Sequence, residues 1–478
     1  MDRNSMRAYL TLPIGVLMVC LAGCGGQPLK PWHTANLSSE FTAGMSDEVQ
    51  TFEDYLALED RLFDELQAEV YAETGTGPEY ALVRYSSGSA ADPETRQPNM
   101  NRSFELRADE PRGGILLLHG LTDSPYTLHD LGRKLNEQGF WVVGLRLPGH
   151  GTAPSALKKA RWRDMAAAIQ IGMVRLVAKV GSRPIHIVGY STGASFALDL
   201  ALRSIDDPNQ RMPASLILIS PAVGISAAAA LARPTAAVGR VRGFSRAAWA
   251  QITPEFDPYK YNSFAVNAGA QVHQLTRSVS NRVASLARAK KGGSMPPILV
   301  FKSAVDATVT TNAVVDRLLG RLPDNGNELV LFDINRSART SILLVSDPGP
   351  LTNRLVDDSS LPFAMTLIAN EHPESANVVA HHKPPFAAEF STTEPLNMAW
   401  PRGVISLSHV ALPFAPDDPL YGQFPPEDKN VLFLGQTAIR GERGLMKISS
   451  DWLLRLRYNP FYSFLEKRVL EWVDDSEP

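Results

Sequence analysis

A serine between two glycines is the part of this chain best suited to chemistry. Residues 189–193 read Gly-Tyr-Ser-Thr-Gly, and they lie between an apolar, β-branched run and a stretch of helical periodicity. In such a G-x-S-x-G sequence a sharp strand-to-helix turn lifts the serine hydroxyl clear of the sheet. The following helix would favour negative charge at its amino end. We therefore predict that Ser191 is a nucleophile, although a plain loop serine between flexible glycines is the simpler alternative.

Apolar runs alternate with stretches of helical periodicity from residue 114 onward. Runs without a polar face are typical of parallel strands covered on both sides. Strands are predicted at 115–118, 141–147, 185–188, 216–219, 298–301 and 329–332, and helices at 126–138, 162–180 and 460–473. The predicted fold class is α/β, a mostly parallel central sheet with helices on both faces.

Two segments interrupt this alternation. Residues 222–295 are helical in character and rich in aromatic side chains, so we expect a helical cap over the site; an insertion that packs its aromatic residues elsewhere is the alternative. Residues 336–402 form a second insertion, with possible strands at 363–368 and 378–382 and no functional interpretation.

The part of the chain before residue 111 has its own pattern. Residues 46–72 have helical periodicity with Ser46 as the expected N-cap, and 80–85 and 103–107 are predicted strands. The helix carries many acidic residues and only Arg61 as a basic one, so anionic lipid would repel it. We expect residues 46–110 to pack on the catalytic body.

A serine nucleophile needs a base and an acid, and in enzymes with this turn the chain order is serine, acid, histidine. Asp306 follows the strand predicted at 298–301, where a carboxylate could hold the imidazole in one tautomer. A turn aspartate is the simpler alternative. Asp316 and Asp333 are rivals, but they lie in a helical and in a strand pattern.

His409 is the best-placed base among ten histidines, because it lies late in the chain, after an apolar run and before the last helix. Of the other nine, His119 and His150 precede the serine and His186 lies within a strand. His381 and His382 are adjacent, so in a strand they would face opposite sides. No spaced Cys/His cluster indicates a metal site, and no cofactor is expected.

Acyl transfer also needs N–H donors for the oxyanion. Thr192 follows the nucleophile and would supply one backbone N–H. Leu121, in the loop after the strand at 115–118, would supply the other, because Gly120 lets the backbone come close. A tight turn without chemistry is the alternative for this loop.

Three motifs together resemble a known group of proteins. They are HGLTDSPYTL at 119–128, LRLPGHGT at 145–152 and GYSTG at 189–193. The set resembles the serine α/β-hydrolases grouped with monoacylglycerol lipases, carboxylesterases and serine aminopeptidases. The resemblance implies Ser191 as nucleophile, Asp306 as acid, His409 as base, and Leu121 with Thr192 as oxyanion donors. The chain departs from this group in the hundred or so residues between acid and base.

The amino terminus reads as a targeting segment. Two arginines precede the apolar run 8–19, and Leu-Ala-Gly-Cys at 21–24 resembles the bacterial lipobox. That resemblance implies cleavage after residue 23, lipidation of Cys24 and, with Gly25 next, an outer-membrane lipoprotein of the bacterial cell envelope facing the periplasm. Residues 24–45 are predicted to be a tether. An uncleaved anchor or a cytoplasmic start is the alternative.

Composition narrows the choice of function. Lysine and arginine number 47 against 50 aspartate and glutamate residues, so a basic nucleic-acid surface is not indicated. We predict a lipid-anchored serine hydrolase of acyl esters, acting through an acyl-enzyme in residues 111–478. Two alternatives stay open: an aminopeptidase or amidase, with Glu255 and Asp257 as candidates for binding a substrate amine, and a non-catalytic binding lipoprotein.

Overall fold

The computed structural model describes residues 28–224, 245–306, 308–338, 344–345, 347–427, 431–435 and 455–475. Its strands are β1 (Phe104–Leu106), β2 (Gly114–Leu118), β3 (Trp141–Leu145), β4 (Ile185–Tyr190), β5 (Ser215–Ile219), β6 (Trp249–Gln251), β7 (Phe264–Ala265), β8 (Ile298–Ser303), β9 (Glu328–Phe332), β10 (Ala364–Asn370), β11 (Asn377–Lys383) and β12 (Thr392–Ala399). Its α-helices are α1 (Pro31–Thr34), α2 (Phe52–Leu66), α3 (Tyr126–Glu137), α4 (Trp162–Val180), α5 (Thr192–Asp206), α6 (Val266–Arg288), α7 (Thr311–Arg317), α8 (Gly349–Asp357) and α9 (Tyr462–Asp475).

One ten-stranded sheet organises the molecule, in the order β1-β3-β2-β4-β5-β8-β9-β10-β11-β12. The strands from β3 to β10 in this order are parallel, and β1, β11 and β12 run antiparallel to their neighbours. Every residue of β2, β4, β5, β8 and β9 is buried, as their apolar sequences predict. The α/β fold class and the six predicted strands are confirmed.

Helices cover both faces of this sheet, and each face has its own core. On one face α4, α5 and the cap helix α6 pack together, with Phe196 and Leu275 among the buried residues. On the other face α3 and α9 contribute Leu131 and Leu465. Burying a side chain of this size stabilises the fold by about 1.5–3 kcal/mol. The helices predicted at 126–138, 162–180 and 460–473 are confirmed within two residues.

The second insertion extends the sheet. The strands predicted at 363–368 and 378–382 are β10 and β11, whereas α8 and the edge strand β12 were not predicted. Most residues of β12 are exposed and it contains Pro395, so its sequence lacks the apolar signal of an inner strand. Asn335 joins the two ends of this insertion by two hydrogen bonds. Its backbone N–H donates to the Ile405 carbonyl and its side-chain amide donates to the Val404 carbonyl, each at 2.8 Å. The chain therefore returns to the carboxyl end of β9.

The amino-terminal region differs from its prediction. Helix α2 begins at Phe52, and Thr51 caps it, since its hydroxyl accepts the Asp54 N–H at 3.1 Å; the predicted N-cap at Ser46 is wrong. Residues 80–85 form turns and not a strand, because the Arg84 N–H donates to the carbonyl of Glu255 in the cap.

The predicted tether is also too long. Trp32, His33 and Phe41 are buried against the body, so residues 31–45 are part of the folded domain. Aromatic side chains drive this packing, and Trp32 stacks on Tyr85 with ring centroids 5.3 Å apart. The signal segment, Cys20, Cys24 and Gly25 lie outside the described residues.

The described part of the cap, residues 245–295, is only partly helical. It contains α6 and the small antiparallel pair of β6 and β7. Trp249, Tyr259 and Tyr261 are buried, which agrees with the aromatic composition of the segment. In the described ranges, every helix is too short or too polar to cross a bilayer.

Candidate active site

The turn between β4 and α5 holds Ser191 in a conformation that serine rarely adopts. Its φ is 54°, and such a strained residue costs on the order of 1–3 kcal/mol. Two backbone hydrogen bonds hold it, from the Ser191 N–H to the Ile219 carbonyl at 2.9 Å and from the Ala222 N–H to the Ser191 carbonyl at 3.0 Å. A Cβ on Gly193 would lie 2.0 Å from the Leu118 carbonyl oxygen. Helix and strand can therefore meet here only if the residue is glycine.

Asp306 lies in the turn after β8 and is buried. Its Oδ1 accepts the N–H groups of Thr308 at 2.8 Å and Val309 at 3.0 Å. Burial alone would raise the pKa of this carboxyl, but the charges and hydrogen bonds of His409 and Lys302 hold it below its usual value. The carboxylate is therefore ionised and oriented.

His409 lies between the serine and the carboxylate. Its Nε2 is 3.0 Å from Ser191 Oγ and its Nδ1 is 2.8 Å from Asp306 Oδ2. Both distances are within hydrogen-bond reach, so Nδ1 can donate to the carboxylate while Nε2 accepts the serine proton. The histidine and the aspartate are 103 positions apart in the chain. The structure thus brings together the three residues that the sequence singled out, while their catalytic roles stay predictions.

The loop that carries His409 is held from several sides. Ser303, at the end of β8, donates its hydroxyl to the Leu407 carbonyl at 2.9 Å, and Ser408 donates to the Leu456 carbonyl at 2.8 Å. The Tyr190 hydroxyl donates to the carbonyl of His409 itself at 3.3 Å. These bonds hold the backbone at and around His409, which limits the positions that its ring can take.

The loop after β2 approaches the serine from the neighbouring strand. A Cβ on Gly120 would lie 2.5 Å from Asp123 Oδ2, so the loop is too tight for another residue. The cap holds it in place, since the Tyr261 N–H donates to the Thr122 carbonyl at 2.8 Å. Thr192 is the first residue of α5, where N–H groups have no partner within the helix. The assignment of Leu121 and Thr192 as oxyanion donors stays a prediction.

A very small apolar cavity of about 10 Å³ adjoins these two residues. Besides Leu121 and Thr192, its lining includes Trp162, Phe196, Val272 and Leu275. The last two belong to α6, so the cap contributes one wall of this cavity. A cavity of this size holds about one water molecule, so an acyl chain beside the nucleophile would need the wall from α6 to move or to be cut back.

The rival residues have other partners. Asp333 accepts from Arg336 at 2.8 and 3.2 Å, and Asp316 is exposed on α7. The Nε2 of His119 accepts the Leu147 N–H at 3.0 Å. Burial lowers the pKa of His119 well below its usual value, so this ring is neutral and fastens the loop after β2 to the loop after β3.

Three charged residues near the site were not predicted from the sequence. The Lys302 ammonium contacts Asp306 Oδ2, and Lys260 of the cap forms an ion pair with Asp123. A signal existed for Lys302, because a lysine near the end of the apolar run Ile298–Ser303 cannot reach solvent from the middle of a sheet. The Lys260–Asp123 pair joins residues distant in sequence, and nothing in the sequence indicates it.

Comparison with known proteins agrees with this architecture. Residues 109–334 match the family described as serine aminopeptidase, S33. A thermostable monoacylglycerol lipase of Bacillus sp. (strain H-257) is 31% identical over 104 residues, which cover 22% of this chain and 41% of that protein. A carboxylesterase of Bacillus subtilis (strain 168) is 34% identical over 86 residues, which cover 18% of this chain and 35% of that protein.

Each of these matches spans less than half of the relative's length. Among solved structures, the monoacylglycerol lipase of Paleococcus ferrophilus is similar over 48% of this chain and 88% of that chain, with 18% identity and a TM-score of 0.35. The assignment depends on the strand order, the turn at Ser191 and the family match, and not on this distant likeness. On those grounds the chain has an α/β-hydrolase fold and is similar to monoacylglycerol lipases and carboxylesterases.

Proposed function

We propose that this protein is a serine hydrolase of carboxylic esters, with Ser191 as nucleophile, His409 as base and Asp306 as orienting acid. The proposal depends on one observation, a continuous chain of two hydrogen bonds. Ser191 Oγ lies 3.0 Å from His409 Nε2, and His409 Nδ1 lies 2.8 Å from Asp306 Oδ2. The strained turn at Ser191 adds support, because strain at a single residue is often found where function requires it.

The chemistry follows from this chain of hydrogen bonds. Ser191 Oγ attacks the ester carbonyl carbon while its proton passes to His409 Nε2, and the carbonyl electron pair moves onto oxygen. The N–H groups of Leu121 and Thr192 would stabilise that oxyanion. When the carbonyl re-forms, the ester C–O bond breaks and the alcohol leaves with the proton from His409.

Water completes the cycle. A water molecule gives one proton to His409 and attacks the acyl carbon; the bond to Ser191 Oγ then breaks, the proton returns to that oxygen, and the carboxylic acid leaves. Asp306 stays ionised throughout, because it stabilises the imidazolium and does not take its proton.

Esters are preferred to amides on two grounds. Two relatives above 30% identity over the matched segment are a monoacylglycerol lipase and a carboxylesterase, although the matching family is described as serine aminopeptidase, S33. The carboxylates considered for binding a substrate amine have internal partners. Glu255 accepts the N–H groups of Asn262 and Ser263, each at 2.8 Å, and Asp257 accepts the Tyr421 hydroxyl at 2.6 Å. Both carboxylates are buried, so neither is exposed to bind the amine of an aminopeptidase substrate.

A fluorophosphonate probe and a substrate panel test the proposal on the full chain. We expect the probe to label the protein, and p-nitrophenyl esters to be hydrolysed while aminoacyl anilides are not. Turnover of anilides with inactive esters would favour the aminopeptidase. Absence of both labelling and turnover would favour a binding protein that retains the scaffold.

The cavity beside Thr192 leads to a prediction about the acyl chain length of the preferred substrate. Leu275→Ala removes three carbons from a fully buried residue of the cavity wall, and so enlarges the cavity. Each methylene of the substrate acyl chain that the enlarged cavity holds stabilises the complex by about 0.8 kcal/mol. We expect the ratio of kcat/KM for p-nitrophenyl octanoate over butanoate to rise by about tenfold. Leu465→Ala, an equally buried leucine on the other face of the sheet, is the matched control and should leave that ratio unchanged. An unchanged ratio in Leu275→Ala would exclude this cavity as the acyl site.

We also propose that Cys24 anchors the protein in the bacterial envelope through acyl chains. The support is the sequence at 21–24 alone. In bacteria that express the full chain, labelled palmitate is expected in the wild-type protein and absent from Cys24→Ser, which should leave the membrane fraction. Equal labelling of both proteins would contradict the anchor.

A further inference from the structure

Lys302 is the most unusual charged residue near the site. It lies on β8 in the middle of the sheet, and its side chain is completely buried. Removing an ammonium from water costs several kcal/mol, and an apolar residue usually serves packing as well or better. Its neighbours on the strand, such as Val300 and Phe301, are apolar. A role confined to packing therefore gives no reason for a lysine at this position.

Lys302 contacts the hydrogen-bonded chain formed by Asp306, His409 and Ser191. Its ammonium donates to Asp306 Oδ2, the same oxygen that accepts His409 Nδ1 at 2.8 Å. With Thr308 and Val309 on Oδ1, the carboxylate accepts hydrogen bonds at both oxygens. Part of the negative charge that faces His409 Nδ1 is thus offset by Lys302.

Other charges face His409 from the cap and from the loop after β2. Asp123 is close enough for the charge of His409 to act on its carboxyl, and Lys260 forms an ion pair with it. Tyr190 faces the same residue from β4 through its hydroxyl. Each of these two carboxylates, Asp306 and Asp123, thus has a lysine ammonium as an ion-pair partner. Removing Lys302 would take away the ammonium that pairs with the carboxylate in direct contact with the imidazole.

We propose that Lys302 is a positioning residue that acts through Asp306: it orients the carboxylate oxygen that faces His409 and offsets part of its charge, which extends activity toward acid. This inference rests on the proposed function, since it assigns Lys302 an effect on the same base. Lys302 touches no reacting atom. Its contribution is the electrostatic balance around the acid and the orientation of the carboxylate oxygen.

The test is the pH profile of kcat/KM for p-nitrophenyl acetate, measured with the full chain. Lys302→Met keeps the volume and removes the charge, so we expect the midpoint of the acid limb to rise by about one pH unit, the size typical of an adjacent charge. Lys302→Arg keeps the charge and should keep the wild-type midpoint. Lys383→Met is the matched control, because Lys383 is a buried lysine three strand positions away whose ammonium donates to backbone carbonyls.

The outcomes separate the two proposals. A wild-type protein that neither reacts with the fluorophosphonate nor turns over esters would refute the proposed function itself. An active Lys302→Met enzyme with the wild-type midpoint, whatever its plateau, would overturn the role of Lys302 and leave the function standing. Should the methionine variant not fold, Lys302→Gln replaces it with the same expected shift. An equal shift in Lys383→Met would also overturn the role, because the effect would then not depend on the contact with Asp306.

Discussion

Ser191→Ala is expected to lower kcat for ester hydrolysis by about 10⁴–10⁶-fold and to abolish labelling by a fluorophosphonate. The physical reason is that the Ser191 hydroxyl is the group hydrogen-bonded to His409 Nε2, at 3.0 Å. Without it no acyl-enzyme can form, and only binding and the oxyanion donors remain to accelerate attack by water. Active-site titration together with steady-state kinetics measures both effects.

The control for this result is His409→Ala. Because the two residues act as one unit, the double variant should lose little more activity than either single variant. Retained labelling in Ser191→Ala would show that another nucleophile reacts. Multiplicative losses in the double variant would show that the histidine does not act on this serine.

Asp306→Asn is expected to reduce kcat by about 10⁴-fold, because an amide cannot hold the imidazole in the required tautomer. It should also destabilise the protein by about 3–5 kcal/mol, since the buried Lys302 ammonium would lose its contact with the Asp306 carboxylate. The amide group would direct hydrogens toward two donors, the Lys302 ammonium and His409 Nδ1. Urea unfolding measures the loss of stability, and the ester assay measures the loss of rate.

A double variant separates the two effects. In Asp306→Asn combined with Lys302→Met, the buried ammonium is absent, so most of the stability should return while activity stays low. A double variant no more stable than Asp306→Asn would show that the carboxylate contributes through its bonds to Thr308 and Val309, and not through the ion pair. An Asp306→Asn enzyme with near-normal kcat would exclude Asp306 as the acid.

The core of the fold could be predicted because its signals are local. A strand buried on both faces is apolar at most of its positions, so runs such as Ile185–Tyr190 and Leu216–Ile219 stand out from their surroundings. A strained serine turn needs glycines at fixed spacing, so Gly189 and Gly193 mark it equally clearly. The positions of Asp306 and His409 after apolar runs then followed from chain order.

The errors arose where contacts distant in sequence decide the structure. Residues 31–45 read as a tether because they are rich in small and polar residues, yet their few aromatic side chains are buried against the body and the cap. Residues 80–85 contain the apolar and aromatic side chains that are typical of a strand, but the Arg84 N–H donates to the Glu255 carbonyl in the cap. Strand β12 is exposed at the edge of the sheet, and an exposed edge strand does not need an apolar pattern.

The sequence by itself predicted the class of the fold, a candidate nucleophile and the order of the three residues of the candidate site, because burial and turn geometry limit which residue types a short segment can hold. Only the tertiary structure decided that the 336–402 insertion closes at Asn335, so that His409 reaches a partner 103 positions away. It alone placed Lys302 against that carboxylate. Charge pairing across a fold depends on distances in space, and no local pattern of residues encodes those distances.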